Sequence, residues 1–409
     1  MYKLSQLKRE MSLKKQIFGW SMYDFANTIF SALFITIYFP LFVILKGGNA
    51  FHVGLVFSAS MLLAGLLVPF LGSVADITKR KKLLLFIFTL MTCILTFFTG
   101  FFTLTFVLLF GLFANFFYHA SLDVYDSMLV NISNKRNIGR ISGLGTAVGY
   151  LGTILSVIVA YVIGFFYGFE TILGIRTVFI VIALLFFGFS LFTFVLVKET
   201  SRIKIKKHHF KKAFKSVIST LKSIKKFKNV WIFLLATFLY VDGASTAIIF
   251  LFLYARDQIG LTLVQFFPLY IGMAIAAGAG ALIFGKITDK IGHKKTLNIV
   301  LFSWIIIIFI LYIKTTYVTF LIVGILGGAL LGALWTITRP MLVELAPKNK
   351  VAELFGYQGL TEKLGGVIGP LLFGAIAVSL GFRQALLVVI VLFLAGAFVL
   401  RFVKMPKRP

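Results

Sequence analysis

One cysteine, Cys93, stands among 409 residues, and it lies within an apolar run. No intrachain disulfide can form, and no cysteine cluster is present to hold a metal. Acidic residues are also scarce, with 13 Asp and Glu against 41 Lys and Arg. Charged residues make up only 13% of the chain, too few to cover the surface of a soluble domain of this size. A phosphate-binding loop is missing: the glycines sit inside apolar runs without a following Lys-Ser/Thr, which argues against direct use of nucleotide. After the basic stretch 1–16 comes a long apolar segment with no small-residue cleavage site, so the first span is expected to be retained.

Apolar residues dominate what remains. They account for 60% of the chain, 48 of them Phe, and the mean hydropathy is +1.01. Between the charge clusters lie apolar runs of about 18–28 residues, the length a helix needs to cross a bilayer. Runs this long fit helices rather than the roughly 10-residue alternating strands of a barrel. The pattern predicts an all-α polytopic membrane protein with twelve transmembrane helices in two pseudo-symmetric six-helix bundles. Spans are expected near 17–45, 53–75, 83–100, 104–131, 141–167 and 173–197, then 230–254, 264–285, 296–313, 317–342, 354–378 and 383–402. Ten spans remain an alternative if the shortest runs do not cross. The expected domains are 1–197, a basic linker 198–229, and 230–409.

The formal charge of +28 would suggest nucleic acid in a soluble protein, but here the cations crowd alternate loops. The N-terminus, 76–82, 132–140, 198–229, 286–295, 343–353 and the tail from Arg401, together with Arg339, hold 35 of the 41 Lys and Arg. By the positive-inside rule both termini lie in the cytoplasm, and a cell membrane is expected, with an organelle membrane as the alternative. In the linker, Phe210, Phe214, Val217, Ile218, Leu221 and Ile224 recur at helical steps while lysines fall mainly elsewhere. That predicts an amphipathic helix on anionic lipid. His208 and His209 precede it without other metal ligands. No nucleic-acid partner, cofactor or metal is expected, and a monomer is.

The halves repeat at an offset of 213 residues. Gly72-Ser-Val-Ala-Asp76 runs into Lys79-Arg80-Lys81-Lys82, and Gly285-Lys-Ile-Thr-Asp289 into Gly292-His293-Lys294-Lys295. The same offset carries Gly143 onto Gly356 and Gly152 onto Gly365. This doubled Gly-x-x-x-Asp loop with its basic cluster resembles that of the major facilitator superfamily. The resemblance implies that Asp76, Arg80, Asp289 and Lys294 act as gating groups. A loop-solvating role for the two Asp is the alternative.

A narrower resemblance covers nearly the whole chain. It rests on Gly19-Trp-Ser-Met-Tyr-Asp-Phe-Ala-Asn27, on Gly139-Arg140-Ile-Ser-Gly143-Leu-Gly145 with Gly149-Tyr-Leu-Gly152, and on Tyr240-Val-Asp242-Gly243. Ala352-Glu-Leu-Phe-Gly356, Lys363 and Gly369-Pro-Leu-Leu-Phe-Gly374 complete it. These segments are similar to the vacuole-effluxer-like family, whose fungal vacuolar branch releases amino acids. One departure is Tyr125-Asp126, where that family is expected to carry Tyr-Asn.

Ionisable residues inside spans are costly and mark pathways or partners. Asp24 and Asn27 share one face of span one and are candidates for a cavity lining; a buried contact near the mouth is the alternative. Asp123 and Asp126 stand three apart on span four, where mutual repulsion would keep one protonated, unless Arg136 or Arg140 holds them. His119 shares their face or simply packs. Asp242, mid-span with Ser245 and Thr246 after it, is the first choice for coupling or recognition. Arg339 matches Asp126 across the offset and is expected to pair with it or to snorkel. Glu362 and Lys363 lie inside span eleven, where Lys363 is either a substrate contact or part of a structural pair. An amino acid would be matched by Asp24 or Asp242 together with Lys363.

The resemblance therefore implies a non-enzymatic secondary active transporter. It would export a small solute, amino acids or short peptides, in exchange for protons by alternating access. A multidrug or lipid exporter of the same fold is one alternative, and a non-transporting receptor or scaffold is another.

Overall fold

The computed structural model describes residues 2–78, 80–133, 138–198, 227–346 and 351–406. The expected amphipathic helix and His208–His209 lie outside the described residues, as does Arg136. Among the described residues, twelve helices are long and apolar enough to cross a membrane. They run Met11–Leu45, Ala50–Val68, Lys81–Thr99, Leu104–Leu129, Ile141–Tyr167 and Ile172–Leu196, followed by Lys228–Ile259, Leu263–Ile291, His293–Ile313, Tyr317–Leu345, Tyr357–Ser379 and Phe382–Arg401. The protein is an all-α, multi-pass membrane protein of twelve spans, as its apolar runs predict.

Lipid, not water, explains the surface. Phe165, Phe166, Leu184, Val195, Leu282 and Phe398 are each more than half exposed, and a bilayer is the solvent that accepts them. Many buried hydroxyls are satisfied within their own helix. On span three, Thr89, Thr92, Thr96 and Thr99 each donate to the carbonyl four residues back, at 2.7–2.9 Å. Threonines also cap span starts: Thr171, Thr262 and Thr316 accept from the backbone N–H three residues on. Gly260, at φ +74, ends span seven in the left-handed conformation that a side chain disfavours.

Two spans are not regular. Within span one, Phe30–Tyr38 winds as a π-helix, and Thr36 Oγ1 donates to Ser31 O five residues back at 3.2 Å. Span eleven is two helices, Val351–Leu364 and Ile368–Ser379, separated at Gly365-Gly366-Val367.

Packing divides the chain into two compact units: Met1–Tyr38 with Phe70–Phe214, and Phe39–Pro69 with Lys215–Pro409. This partition differs from the chain-order halves 1–197 and 230–409, because residues 39–69 pack within the second unit. Glycines permit that packing. A methyl group at Gly54 would stand 2.1 Å from the Pro370 carbonyl oxygen, and one at Gly374 would stand 2.5 Å from that of Ala50.

The repeat is visible inside each unit. In the first, Gly152 of span five lies so close to span one that a methyl group there would stand 2.3 Å from Phe25 O. In the second, Gly365 lies close to span seven, with 2.8 Å to Phe238 O. Both residues of the pair are displaced by the same 213 positions. Span five runs unbroken past its glycine, whereas span eleven breaks there.

Candidate functional site

In the first unit, span one carries Trp20, Tyr23, Asp24 and Asn27 within two turns, so all four can face neighbouring spans together. Trp20 and Tyr23 both stack on Tyr125 of span four, with ring centroids 4.6 and 4.8 Å away. Trp20 Nε1 donates to Tyr125 O at 3.3 Å, and the Tyr23 hydroxyl pairs with Thr89 Oγ1 of span three at 2.6 Å. All three rings are buried. Their faces are used on one another, so they form a wall and not an open aromatic cage.

Against this wall Asp24 is half-buried and Asn27 is buried. Asn27 Nδ2 donates to Asp24 Oδ1 at 3.1 Å, and the Tyr118 hydroxyl of span four donates to Asn27 Oδ1 at 3.5 Å. Asp24 and Asp126 both act electrostatically on the Tyr125 hydroxyl. Space at the carboxylate depends on glycine: a methyl group at Gly145 would stand 2.5 Å from Asp24 Oδ2 and 2.6 Å from Trp20 Cζ3. Thr28 ties the same stretch to span five, donating to Gly149 O at 2.7 Å. Asp123 is half-buried and Asp126 exposed, so the two carboxylates of span four have different surroundings despite their shared face. The Arg140 side chain is outside the described residues.

In the second unit, Asp242 is fully buried, at 0% exposure. Its Oδ2 accepts from the Gly369 N–H at 2.9 Å, at the start of the second half-helix of span eleven. The amide freed at such a terminus is a natural donor to a carboxyl oxygen, ionised or neutral. Pro370 follows, a residue with no N–H to leave unsatisfied. Thr246 Oγ1 donates to Asp242 O at 2.6 Å. Span eleven approaches closely enough that a methyl group at Gly369 would overlap Thr246 Oγ1 and stand 2.9 Å from Asp242 Oδ1.

Lys363 is buried at 7% exposure and ends the first half-helix of span eleven, six residues before Gly369. Glu362 beside it is half-buried and accepts from Gln358 Nε2 at 2.8 Å. Arg339 is exposed near the end of span ten. The structure thus joins Asp24 with Asn27, and Asp242 with the amide of Gly369. Three participants had no separate place in the sequence reading: Tyr118, Tyr125 and the break at 365–367. The pair Gly365-Gly366 followed by Gly369-Pro370 is a signal for that break.

The basic loops do something the repeat alone did not disclose. Lys82, at the start of span three, donates to Val197 O at the end of span six, at 2.8 Å. Arg176, at the start of span six, donates to Gly100 O at the end of span three, at 3.2 Å. The second unit repeats the arrangement. Lys294, at the start of span nine, donates to Arg401 O and Val403 O at the end of span twelve, at 3.0 and 2.6 Å. Arg383, at the start of span twelve, donates to Tyr312 O and Ile313 O at the end of span nine, at 2.7 and 2.9 Å. Each antiparallel pair therefore caps its partner's terminal carbonyls at both ends. Of the four expected gating residues, Lys294 belongs to this frame, Arg80 is half-buried at the start of span three, and Asp289 is exposed. The Asp76 side chain is outside the described residues. Beside Lys294, His293 Nδ1 meets Glu344 Oε2 of span ten at 2.5 Å.

Among the described residues, no group of three or more His, Cys, Asp or Glu is placed to hold a metal ion.

Comparison with known proteins agrees with this architecture. Residues 131–408 match the family model described as vacuole effluxer Atg22 like. An uncharacterized MFS-type transporter of Bacillus subtilis, YxiO, is 27% identical over 410 residues, covering 95% of each chain. The multidrug resistance protein MdtG of Enterobacter lignolyticus is 28% identical, covering 84% of this chain and 80% of its own. Among solved structures, a bacterial homologue of the human lysosomal transporter Spinster, in an inward-facing unoccupied conformation, has a TM-score of 0.71 at 12% identity and covers 96% of both chains. The nucleoside transporter NupG has a TM-score of 0.72 at 17% identity, covering 97% of this chain and 100% of its own.

Proposed function

The chain belongs to the vacuole effluxer Atg22 like family, and from that premise we propose that it is a secondary active transporter that exports amphiphilic, cationic solutes by alternating access. The observation that carries the substrate class is the contrast between its two deepest aspartates. Asp242 is sealed from solvent and engaged with the Gly369 amide, so it does not present a free carboxylate to a substrate ammonium. Asp24 is half-buried beside Asn27, against apolar ring edges. A carboxylate that keeps partial access beside aromatic rings complements a cation carrying hydrophobic bulk, and pairing it with such a cation offsets part of its desolvation. The multidrug name of the relative MdtG points the same way.

Amino acids are the second reading, motivated by the effluxer family itself and by the buried Lys363, which would bind a substrate carboxylate. Both termini are placed in the cytoplasm, on the strength of the loop charges. Asp76 and Asp289 are assigned to gating, and Asp123, Asp126, Arg339 and Glu362 to the proton or substrate path.

Purified protein in liposomes, offered a labelled lipophilic cation and a panel of labelled amino acids with and without a pH gradient, separates the readings. Flux of the cation that depends on the gradient is expected. Flux confined to amino acids would replace the proposed substrate class, and absence of any flux would favour a receptor or scaffold.

A further inference from the structure

Asp242 presents a chemical puzzle that its Gly369 contact solves only in part. A carboxylate has two oxygens, and only Oδ2 is satisfied by that amide. Oδ1 is shut away from solvent and has no hydrogen-bond partner among the described residues. An ionised oxygen left this way bears the full cost of its lost hydration. A protonated one does not, because the neutral acid still offers its carbonyl oxygen to Gly369 while Oδ1 carries hydrogen. An acceptor borders that side of the carboxyl group. Thr246 Oγ1, whose own hydrogen is given to Asp242 O, faces the same point above Gly369 as Oδ1 does, with lone pairs to spare.

Other charges do not supply the missing partner. On span seven the titratable neighbour is Tyr240, whose hydroxyl is engaged with Thr237 and Thr338. The first half-helix of span eleven brings Tyr357, Glu362 and Lys363, and the second, Ile368–Ser379, contains no titratable residue. Span ten brings Arg339 and Glu344, and span twelve carries Arg383 and Arg401 at its ends. The segment Phe39–Leu45 contains none. The group that meets the Asp242 carboxyl is the backbone amide of Gly369.

We infer that Asp242 Oδ1 is a proton-binding site whose occupancy is linked to the seating of the Ile368–Ser379 half-helix on span seven. In the seated geometry the acid is neutral and dry. Releasing its proton to water requires access to Oδ1, and that access requires the half-helix to lift from span seven. The turn at Gly365–Val367, where two glycines interrupt span eleven, is where the chain can hinge. Linkage makes the effect reciprocal: protonation favours seating, and lifting favours proton release. The step is a simple transfer, with the O–H bond of the acid broken and the proton taken by water. This inference rests on the transporter reading for its purpose, but its test does not require a transported substrate.

The test is infrared difference spectroscopy of the full-length protein in detergent as pH is varied, with hydrogen–deuterium exchange across 365–371 measured at the same pH values. A protonated-carboxyl carbonyl band that disappears at high pH is expected in the wild type. Asp242→Asn, which keeps an oxygen for Gly369, should lack that band and hold exchange across 365–371 constant with pH. Wild-type exchange there should rise as the band is lost. Gly369→Ala, whose methyl group would overlap Thr246 Oγ1, should raise exchange at every pH. A band unchanged by Asp242→Asn would overturn the assignment of the proton. A band that titrates while exchange stays flat in the wild type would overturn the link to the half-helix. If flux is absent but both responses appear, the transport reading fails and this inference stands.

Discussion

Replacing Gly332 with alanine adds one methyl group where spans eight and ten meet, and the geometry sets what that must do. The new carbon would overlap the carbonyl oxygen of Ala277 and stand 2.8 Å from its carbon. Carbon and oxygen in adjacent helices rest at roughly 3.3–3.6 Å, so the backbones must part by about 1 Å or more. A flexible side chain would yield, but the obstruction here is main chain. Nor can the helices pivot around the new contact, because the same interface is pinned elsewhere. A methyl group at Gly328 would stand 2.4 Å from Met273 O, and one at Gly280 would stand 2.1 Å from Ala329 O. Overpacking of this kind costs about 1–3 kcal/mol, and the parted interface also loses dispersion contacts that lipid only partly replaces. Gly188 is the control: it lies in span six with nothing within 4 Å of a methyl group. Gly188→Ala should leave stability unchanged or raise it by up to about 1 kcal/mol, through helix propensity alone. Thermal unfolding of the purified protein, followed by size-exclusion of the monodisperse fraction, compares the two. If Gly332→Ala unfolds at the same temperature as Gly188→Ala, close backbone approach is not what holds spans eight and ten together.

Two further outcomes follow from contacts of a different kind. Lys294→Met keeps the apolar stem and removes the ammonium that caps Arg401 O and Val403 O, so span twelve should fray at its end. Because the site is partly exposed, the loss should be about 1 kcal/mol, read as faster hydrogen exchange at the end of span twelve with no change at its start. Asp24→Asn removes the charge while keeping an oxygen for Asn27. Cation flux should fall at least tenfold with unchanged thermal stability, and equal flux in the variant would remove Asp24 from the recognition role.

Much of the architecture was legible because lipid imposes simple arithmetic on a chain. The run from Ile172 to Leu196 can cross only as a helix, and the lysines at 79–82 and 294–295 mark loops regardless of what they touch. The repeat was equally plain, since Gly152 and Gly365 retain the offset that the loop motifs display. Partners were not legible. Lys82 read as a loop cation and Lys294 as a gating group, and nothing local says that their ammonium groups reach the last carbonyls of spans six and twelve. Tyr125 read as a motif residue next to the unexpected Asp126, and its use as the central ring of a stack depends on spans one and four lying side by side.

Sequence by itself determined that this chain is a polytopic helical membrane protein, with twelve spans expected, an internal repeat and a few intramembrane charges, because length, hydropathy and spacing are properties of the chain alone. Tertiary structure decided what those charges meet. Asp24 and Asp242 are both acids in apolar helices, yet one stays half open beside an amide and the other is sealed against the amide of a broken helix. That difference comes from what lies opposite each carboxylate: Asn27 of the same helix meets Asp24, whereas only the packing of a distant segment brings the Gly369 amide to Asp242.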